Sequence, residues 1–561
     1  MSDRFLELET DEEAIASFRG AQNARTQGVL CDAQFERDVE LAVAVLENPD
    51  ALNGVSRRGA WIYTFLKTED APHGRWLRVP DGTVISRDVD WQVVFDVDAF
   101  CAATDVNWHW RGARTAWFRY DRVMLVLSHE GSDQAQYLEF DLATCSLVEG
   151  GFDLEPSRSS VSWIDADTLL VSSAVGDDGT ESSWPGVARI WSRGMAFGDA
   201  EAVFVADKSD LALWCGADRD VDGTALLSFT KASAIGKAVT TVCRSGQDDV
   251  VLAAPLDTSA VHDHSHFAYI VQSGPDAGCL MLGAIGALAD VLVRPKDGLV
   301  VDGGSLMFQD GLLIWKQSVR MVQKLWVRDL TAGVSTQVEL PRVADAFYVY
   351  PFDANADAGD GTLVLSAQGF AQPSTQYLFD LKNGVDGIEW REVYRSPDLF
   401  DADSVEVQLH EAKSADGTMV PYHLVLPKDA VMGAVPTLIY GYGGYGVSLA
   451  PYYSGTTGKL WLEKGGAYVM AYIRGGAELG PEWHLSAKGA GRYPPTLIDT
   501  SSHDDRVDPS HSRRFVAALN GAGQQPWYFE HEDGGHGGGG ASRAKAKEVA
   551  LGHRFLWHAL G

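Results

Sequence analysis

The stretch "SAKGAGRYPPTLIDTSSHDDRV" at Ser486–Val507 decides how the C-terminal part of the chain is interpreted. Its centre, "PPTLIDTS", is a short apolar run that is typical of a buried strand, and an acidic loop with Asp504 follows it. A second apolar run, "PWYFEHEDGG", precedes His536 in a loop rich in glycine. An acid and then a histidine, each just beyond a strand, predict a reactive site at the carboxyl ends of these strands.

The residues after about 403 alternate between strand and helix patterns. A hairpin pattern covers "VEVQLHEAKSADGTMVPYHLVLP", and the segments "PTLIYGYGG" and "GAYVMAYIRGG" are typical of apolar strands. Helical patterns follow at "PSHSRRFVAALNG" and "SRAKAKEVALGHRFLWHAL". Apolar strands between helices predict a parallel sheet that is covered on both faces.

Short β-like runs separated by turn residues fill the chain from about residue 60 to 400. Asp-Gly pairs recur, as at Asp222-Gly223 and Asp310-Gly311, and such pairs favour hairpin turns. A long succession of hairpins suits a β-propeller, which protects its sheet edges by closing radially. Residues 5 to about 50 instead have the apolar spacing of helices. We therefore expect a helical N-terminal segment at 1–60, a β-propeller at 61–402 and an α/β domain at 403–561.

Charge and composition exclude several classes of function. The chain has 561 residues, with 46 Lys and Arg against 77 Asp and Glu and a formal net charge of -31. Such a surface repels nucleic acid and anionic membranes. The sequence contains no run of about 18 apolar residues, so no membrane span is predicted. The acidic N-terminus lacks the order of a signal peptide, and the six cysteines form no CxxC pair. We therefore expect a cytoplasmic protein without disulfides.

Asp504 and His536 follow the order of acid and histidine in α/β-hydrolases, where the histidine deprotonates a serine and the acid fixes the histidine tautomer. The glycines of "GGHGGGG" would let the backbone turn sharply and present the ring. A surface carboxylate and a histidine in a glycine loop would give the same spacing. Spacing alone leaves both interpretations open.

Two other groups of polar residues have simpler interpretations. "HDHSH" at His262–His266 has alternating histidines that suit a metal, but no further ligand is evident. We expect an exposed propeller loop there and no metal. Glu478 and Glu482 lie in the loop "GGAELGPEW", and we expect both to be solvated carboxylates.

Four motifs occur in a fixed order along the chain. They are "YGYGGYG" at Tyr440–Gly446, "IRGGAELGPEWH" at Ile473–His484, "HDDRV" at His503–Val507 and "GGHGG" at Gly534–Gly538. In this order they resemble the prolyl oligopeptidase family of serine peptidases, and the resemblance runs through essentially the whole chain. It implies a helical N-terminal segment, a seven-bladed propeller that filters access to the site, and a C-terminal α/β-hydrolase domain. It also implies a monomer that hydrolyses short proline-containing peptides after proline, without metal or cofactor.

The resemblance gives roles to five residues. Asp504 matches the triad acid and His536 the triad base, while Tyr442 matches the hydroxyl of the oxyanion hole. Arg506 matches the arginine that holds a substrate carbonyl. Tyr445 lies where the family has an aromatic residue that lines the proline pocket.

The sequence departs from the family at the nucleophile. The family has an elbow of the form GGSxGG between the "IRGG" loop and the "RYPPTL" strand, but here "HLSAKGAGR" alone separates Trp483 from Tyr493. The α/β-hydrolase layout then lacks roughly a hundred residues, which include the elbow strand, the serine and the next helix. We therefore expect an internal truncation near 488–493. No G-x-S-x-G occurs anywhere in the chain.

No other serine fits the role of nucleophile. Ser486 follows no apolar strand. Ser501 and Ser502 lie on the loop that carries Asp504, which we call the acid loop. The segment "GGSL" at Gly303–Leu306 precedes a β-like run in the propeller rather than a helix. The elbow also supplies half of the oxyanion hole, so we expect this polypeptide to be inactive.

Three explanations stay open. The translated sequence omits a segment of an active peptidase, through a gene-model error or an internal deletion. Alternatively, the protein is a pseudoenzyme that binds peptides or partners through its propeller, or it acts through an unrelated nucleophile. The first explanation is favoured, because drift would usually replace the serine rather than remove the elements around it.

Overall fold

The computed structural model describes residues 5–48, 52, 54–86, 88–220, 222–296, 298–342, 344–355, 360–431, 433, 435–486, 496–537 and 541–560, with the backbone alone at 303–305. Residues 488–493, where the sequence predicts a truncation, lie outside these ranges.

Between Ser56 and Arg395 the described residues form seven successive antiparallel sheets, of which the second has five strands and the others four. The strands of the first three sheets are β1 (Ser56–Arg58), β2 (Trp61–Thr68), β3 (Ala71–Pro80) and β4 (Gln92–Asp96); β5 (Trp108–Thr115), β6 (Arg122–His129), β7 (Ala135–Asp141), β8 (Ser146–Leu147) and β9 (Asp153–Ser157); and β10 (Ser159–Asp165), β11 (Thr168–Ser173), β12 (Val187–Ser192) and β13 (Glu201–Val205). The strands of the last four sheets are β14 (Ala212–Arg219), β15 (Ala225–Ala234), β16 (Lys237–Cys243) and β17 (Val250–Val251); β18 (Val261–His262), β19 (His266–Ile270), β20 (Leu280–Ala284) and β21 (Asp290–Val293); β22 (Leu299–Gln309), β23 (Leu312–Val319), β24 (Val322–Asp329) and β25 (Val334–Val338); and β26 (Ala346–Pro351), β27 (Leu363–Gly369), β28 (Gln372–Phe379) and β29 (Arg391–Arg395). The prediction of a seven-bladed β-propeller is confirmed.

Backbone bonds and a shared core close the propeller between its first and seventh blades. The N–H of Arg57 donates to the Phe352 carbonyl at 2.8 Å, and the N–H of Ala354 donates to the Arg57 carbonyl at 2.8 Å. Buried side chains of both blades pack in one cluster, which includes Ile62, Val79, Val364 and Leu378. This closure protects the edges that an open array of sheets would expose.

The turn between β22 and β23 shows why Asp-Gly pairs mark these hairpins. Asp310 and Gly311 alone connect the two strands, and both have a positive φ, of 49° and 75°. That backbone conformation matches the twist of the flanking strands and is accessible to Asp and Gly at low cost.

Three helices precede the propeller and a fourth joins its first two blades. They are α1 (Glu7–Thr10), α2 (Glu12–Leu30), α3 (Ala33–Leu46) and α4 (Val97–Thr104). The carboxylates of Asp11 and Asp32 accept hydrogen bonds from the first N–H groups of α2 and α3, which fixes where these helices begin. Within the described ranges, no helix combines the length and the apolar character needed to cross a membrane.

The C-terminal part alternates strands and helices as predicted. Its elements are β30 (Val405–Lys413), β31 (Met419–Pro427), β32 (Thr437–Tyr440), α5 (Gly455–Thr457), a π-helical turn (Gly458–Leu462), β33 (Ala467–Ala471), α6 (Pro481–Leu485), β34 (Leu497–Ser501), α7 (Ser510–Gly521), β35 (Trp527–His531) and α8 (Ser542–Leu560). Short 3₁₀ turns occur at Gly176–Asp178, Phe197–Asp199, Val385–Gly387 and Ala402–Ser404.

The C-terminal strands form two sheets rather than one covered sheet. The first has the order β30, β31, β33, β32, and the second pairs β34 with β35. The β32–β33 and β34–β35 pairs are parallel, but β31 and β33 are antiparallel. The prediction that both faces are covered is wrong at β32, where Ile439 is 67% exposed. The outer edges of β32 and β34 pair with no other strand in the described part of the chain.

The N-terminal helices pack on the second of these sheets. The Asn23 amide donates to the Glu530 carbonyl at 2.9 Å and accepts from the Glu530 N–H at 2.8 Å. The Thr26 hydroxyl donates to the Tyr528 carbonyl at 2.6 Å. Side chains of α2 thus satisfy the outer edge of β35, and α3 shares an apolar cluster with α8.

Candidate active site

A buried ion pair anchors the strands that carry the site. On α7 the guanidinium of Arg513 donates to both carboxylate oxygens of Glu530, at 3.0 and 2.7 Å. The hydroxyls of Tyr528 and Ser502 also donate to this carboxylate, at 2.6 and 2.7 Å. Burial raises the pKa of Glu530, but these donors outweigh it and leave the pKa below its usual value. Glu530 therefore stays charged and fixes β35 against α7.

The loops after β34 and β35 bring Asp504 and His536 together. The two strands are parallel neighbours, so both loops leave the same edge of the sheet. The Nδ1 atom of His536 lies 2.8 Å from Oδ2 and 3.1 Å from Oδ1 of Asp504. The N–H groups of Arg506 and Val507 donate to Asp504 Oδ1 at 3.1 and 2.9 Å, which orients the carboxylate. A carboxylate at Nδ1 favours the tautomer in which Nε2 is free to accept a proton.

The serines near this pair are engaged in local hydrogen bonds. The Ser501 hydroxyl donates to the Gly534 carbonyl, and the Ser502 hydroxyl donates to Glu530. The Ser486 hydroxyl donates to the Trp483 carbonyl at 2.8 Å. No hydrogen bond links any of the three to His536 among the residues that the structure describes, which argues against each as the nucleophile.

Arg506 contacts the propeller. Its guanidinium donates to both carboxylate oxygens of Asp133, at 2.6 and 2.8 Å, and this contact raises the pKa of Arg506. The N–H of Asp133 donates to the Asp505 carboxylate at 3.0 Å, and Arg158 donates to the Asp505 carbonyl at 2.7 Å. The acid loop is thus held against the second and third blades. At the predicted substrate-binding position, the Arg506 guanidinium is thus already engaged by Asp133.

The two predicted tyrosines lie on the loop after β32. Tyr442 is 39% exposed, and its hydroxyl packs over Gly444, where an added Cβ would lie 2.7 Å from the hydroxyl oxygen. Tyr445 is 74% exposed and has a positive φ of 55°. Within the described residues, neither tyrosine forms a hydrogen bond with the Asp504–His536 pair.

Gly535 allows the histidine loop to approach the propeller. A Cβ on Gly535 would lie 2.5 Å from the carbonyl oxygen of Gly131, in the same turn as Asp133. The preceding Gly534 has a φ of 89°, which side chains other than glycine rarely adopt. The predicted role of the glycines around His536 therefore has a structural reason at these two positions.

Replacing Gly535 with alanine is expected to lower the free energy of unfolding by about 1–3 kcal/mol, since the new methyl group overlaps the Gly131 carbonyl. Urea denaturation followed by tryptophan fluorescence measures the change. Gly537→Ala is the matched control, because its added Cβ meets nothing within 4 Å. The control should change stability by less than about 0.5 kcal/mol. Equal stability of the two variants would contradict the close contact.

Two family models match the chain. Residues 3–388 match the model described as "Prolyl oligopeptidase, N-terminal beta-propeller domain", and residues 484–561 match the model described as "Prolyl oligopeptidase family". The first match covers more than half of the sequence. The chain belongs to the prolyl oligopeptidase family.

Individual relatives agree with this membership. An uncharacterised peptidase of Sinorhizobium fredii is 24% identical over 679 residues, which cover 98% of this chain and 92% of the relative. A prolyl endopeptidase of Elizabethkingia miricola is 35% identical over 127 residues, or 22% of this chain and 17% of that protein. The structure of a post-proline cleaving enzyme from Rickettsia typhi has a TM-score of 0.89 at 19% identity and covers 100% of this chain and 99% of that one. This last likeness shows the shared fold.

The Sinorhizobium fredii peptidase also bears on the missing nucleophile. Its match extends over 679 residues, whereas this chain has 561, so the relative has at least 118 residues without a counterpart here. That length agrees with the stretch of roughly a hundred residues that the α/β-hydrolase layout predicts to be absent. This member of the prolyl oligopeptidase family is therefore shorter than the relative by about the length of the predicted elbow segment.

Sequence reasoning missed the contacts that the propeller makes with the loop of Asp504. Asp133 and Arg158 lie in turns more than 340 residues before the acid loop, and no local pattern distinguishes them from other surface charges. The interpretation of Glu478 as a solvated carboxylate was wrong, because the residue is only 6% exposed. The histidines of His262–His266 lie in the first hairpin of the fifth blade. Among the described residues no three His, Cys, Asp or Glu side chains are grouped to hold a metal.

Proposed function

We propose that this polypeptide binds short proline-containing peptides between its propeller and its C-terminal domain and does not hydrolyse them. The observation that carries the proposal is the Asp504–His536 pair, with 2.8 Å between Oδ2 and Nδ1, in a chain that has no G-x-S-x-G. This hydrogen bond supports the predicted roles of Asp504 as acid and His536 as base, but the sequence has no elbow serine for them to activate.

Acyl transfer needs a nucleophile and an oxyanion hole. In an α/β-hydrolase the elbow supplies both the hydroxyl and one backbone N–H of the hole. The remaining donor would be the Tyr442 hydroxyl, and a single donor of this kind is worth about 10²–10³-fold when the rest of the site is present. Without a hydroxyl at Nε2 of His536, a peptide can be held but not cleaved.

Peptide binding is supported by what the chain retains. Arg506 and Tyr445, which match substrate-binding positions of the family, lie in the loops that follow β34 and β32, and Arg506 contacts the propeller. A structural neighbour, prolyl oligopeptidase B from Galerina marginata, was solved with a 35-residue substrate, and it has a TM-score of 0.80 at 16% identity.

Arg506→Ala is expected to weaken the binding of a short peptide such as Ala-Gly-Pro-Ala by about tenfold, because a charge-assisted hydrogen bond to the peptide is lost. Isothermal titration calorimetry measures the affinity. Arg514→Ala is the control, since Arg514 forms a comparable exposed ion pair with Glu9, at 2.7 Å, away from the acid loop. Equal affinity of wild type and Arg506→Ala would remove Arg506 from the site, and a wild type that binds no peptide would overturn the proposed function.

A second candidate function is post-proline hydrolysis by a longer product of the same gene. It is favoured by the residues of the Sinorhizobium fredii relative that have no counterpart here. Sequencing the transcript across Lys488–Tyr493 tests it directly. An inserted segment with G-x-S-x-G would restore a serine endopeptidase, and a transcript that matches the present sequence would exclude this candidate.

A further inference from the structure

A cavity of about 360 Å³ lies where the fifth, sixth and seventh blades face the C-terminal domain. The propeller side is formed by residues of β19, β22, β23, β24 and β26, and the opposite side by the loops around 446–450 and 477–481. The first of these loops begins directly after Tyr445. The volume lies in the range of small-ligand sites, so the cavity can take a few residues of a peptide but not a folded chain.

One lysine and two carboxylic acids line this cavity, and the lysine pairs with one of the two acids. Lys316 is almost fully buried, with its Nζ 2.8 Å from the Asp302 carboxylate and 4.9 Å from the ring centre of Tyr348. The positive charge of Lys316 is therefore already neutralised. The third side chain, Glu478, forms no ion pair with a residue of the described ranges.

Glu478 is a buried carboxylate with one unsatisfied oxygen. Its Oε1 accepts from the Leu449 N–H at 2.7 Å, whereas no donor in the described part of the chain reaches Oε2. Burial raises the pKa of Glu478, although the Leu449 N–H opposes that shift. A buried charge without a partner is costly, so a cation that enters the cavity would be stabilised by this carboxylate.

We propose that this cavity binds the charged amino terminus of a short peptide, with Glu478 as the counter-ion of its ammonium group. The proposal rests on the proposed peptide binding and adds a selection for peptides with a free N-terminus. The α-ammonium group of a peptide lies at its end, beside its first side chain. This arrangement suits a small cavity with one carboxylate that forms no ion pair with the described residues. The apolar lining of Ile270, Met321 and Pro481 suits that first side chain.

Calorimetry with Phe-Gly-Pro-Ala amide and its N-acetylated form tests the proposal on the full chain. Acetylation removes the ammonium charge and is expected to weaken binding to the wild type at least about tenfold. Glu478→Gln should weaken binding of the free peptide by a similar factor and abolish the preference over the acetylated form. Glu482→Gln is the matched control, because Glu482 is an exposed carboxylate in the same segment, and it should keep the preference.

The outcomes separate this inference from the proposed function. Equal affinity of the wild type for free and acetylated peptides, with Arg506→Ala still weakening both, overturns the amino-terminus site and leaves peptide binding intact. The comparison on the wild type needs no variant, so a misfolded Glu478→Gln protein does not obscure it. An N-acetylated peptide with a lysine in first position that binds as well as the free peptide would overturn the assignment to an amino terminus. Absence of binding by every peptide overturns both proposals.

Discussion

A chromogenic Gly-Pro substrate incubated with the purified protein is expected to be hydrolysed at its uncatalysed rate. Removing the serine of a Ser-His-Asp triad lowers kcat by about 10⁶-fold, and here the neighbouring oxyanion-hole N–H is absent as well. Under the proposed function, Asp504 and His536 are hydrogen-bonded to each other but have no hydroxyl at Nε2 to activate. The expected loss therefore exceeds that of any single substitution in the remaining site.

The measurement combines turnover with covalent labelling. An intact prolyl oligopeptidase run in parallel shows that the substrate and the conditions support turnover, and a serine-directed fluorophosphonate probe reports any activated serine. Turnover by the wild type that His536→Ala abolishes, together with labelling of a serine, would contradict the prediction. The labelled peptide would then identify the nucleophile by mass spectrometry.

Most of the elements were predictable from local sequence. The helical spacing of "SRAKAKEVALGHRFLWHAL" coincides with α8 (Ser542–Leu560), and the hairpin pattern around residue 416 coincides with β30 and β31. The Asp310-Gly311 turn was readable because its positive φ values need those residue types. The proximity of Asp504 and His536 was predictable because the loops after parallel strands lie at the same edge of the sheet.

Contacts between distant parts of the chain were not predictable in this way. The number of blades was predicted from the family resemblance alone. Local patterns do not predict ring closure, because the backbone hydrogen bonds of Arg57 with the seventh blade join residues almost 300 positions apart. The contact of Arg506 with Asp133 depends on how the two domains meet. The burial of Glu478 also depends on how the two domains meet. Its own loop is short, polar and rich in glycine, and such a sequence predicts an exposed side chain. Local patterns predict the helix or strand in which a residue lies. The residues that it contacts depend on how the propeller closes and meets the C-terminal part.

Limited digestion with chymotrypsin is expected to leave a resistant fragment of about residues 60–400 and to degrade residues 403–561. The propeller has several apolar clusters of its own, and its ring closes between the first and seventh blades. In the C-terminal part, the outer edge of β32 has no partner strand among the described residues. The nearby aromatic residues Tyr440, Tyr442, Tyr445 and Tyr452 are between 39% and 74% exposed and are sites at which chymotrypsin cleaves.

We expect residues 403–561 to be much less stable than the propeller, because the absent elements would cover apolar surface of the C-terminal part. Burying one large apolar side chain contributes about 1.5–3 kcal/mol. Several uncovered side chains therefore approach the 5–15 kcal/mol that stabilises a typical domain. An uncovered apolar edge strand also favours pairing with other copies, so aggregation of this part is expected on warming.

Three contacts oppose this loss: the Arg513–Glu530 ion pair, the α2 side chains on β35, and the packing of α3 against α8. They stabilise the two-stranded sheet but leave the unpaired edge of β32 uncovered. Gel analysis and mass spectrometry of a digestion time course, with a thermal unfolding scan of the same sample, measure the outcome. A single cooperative transition, with residues 403–561 as resistant as the propeller, would show that these contacts suffice and that the shortened domain is stably folded.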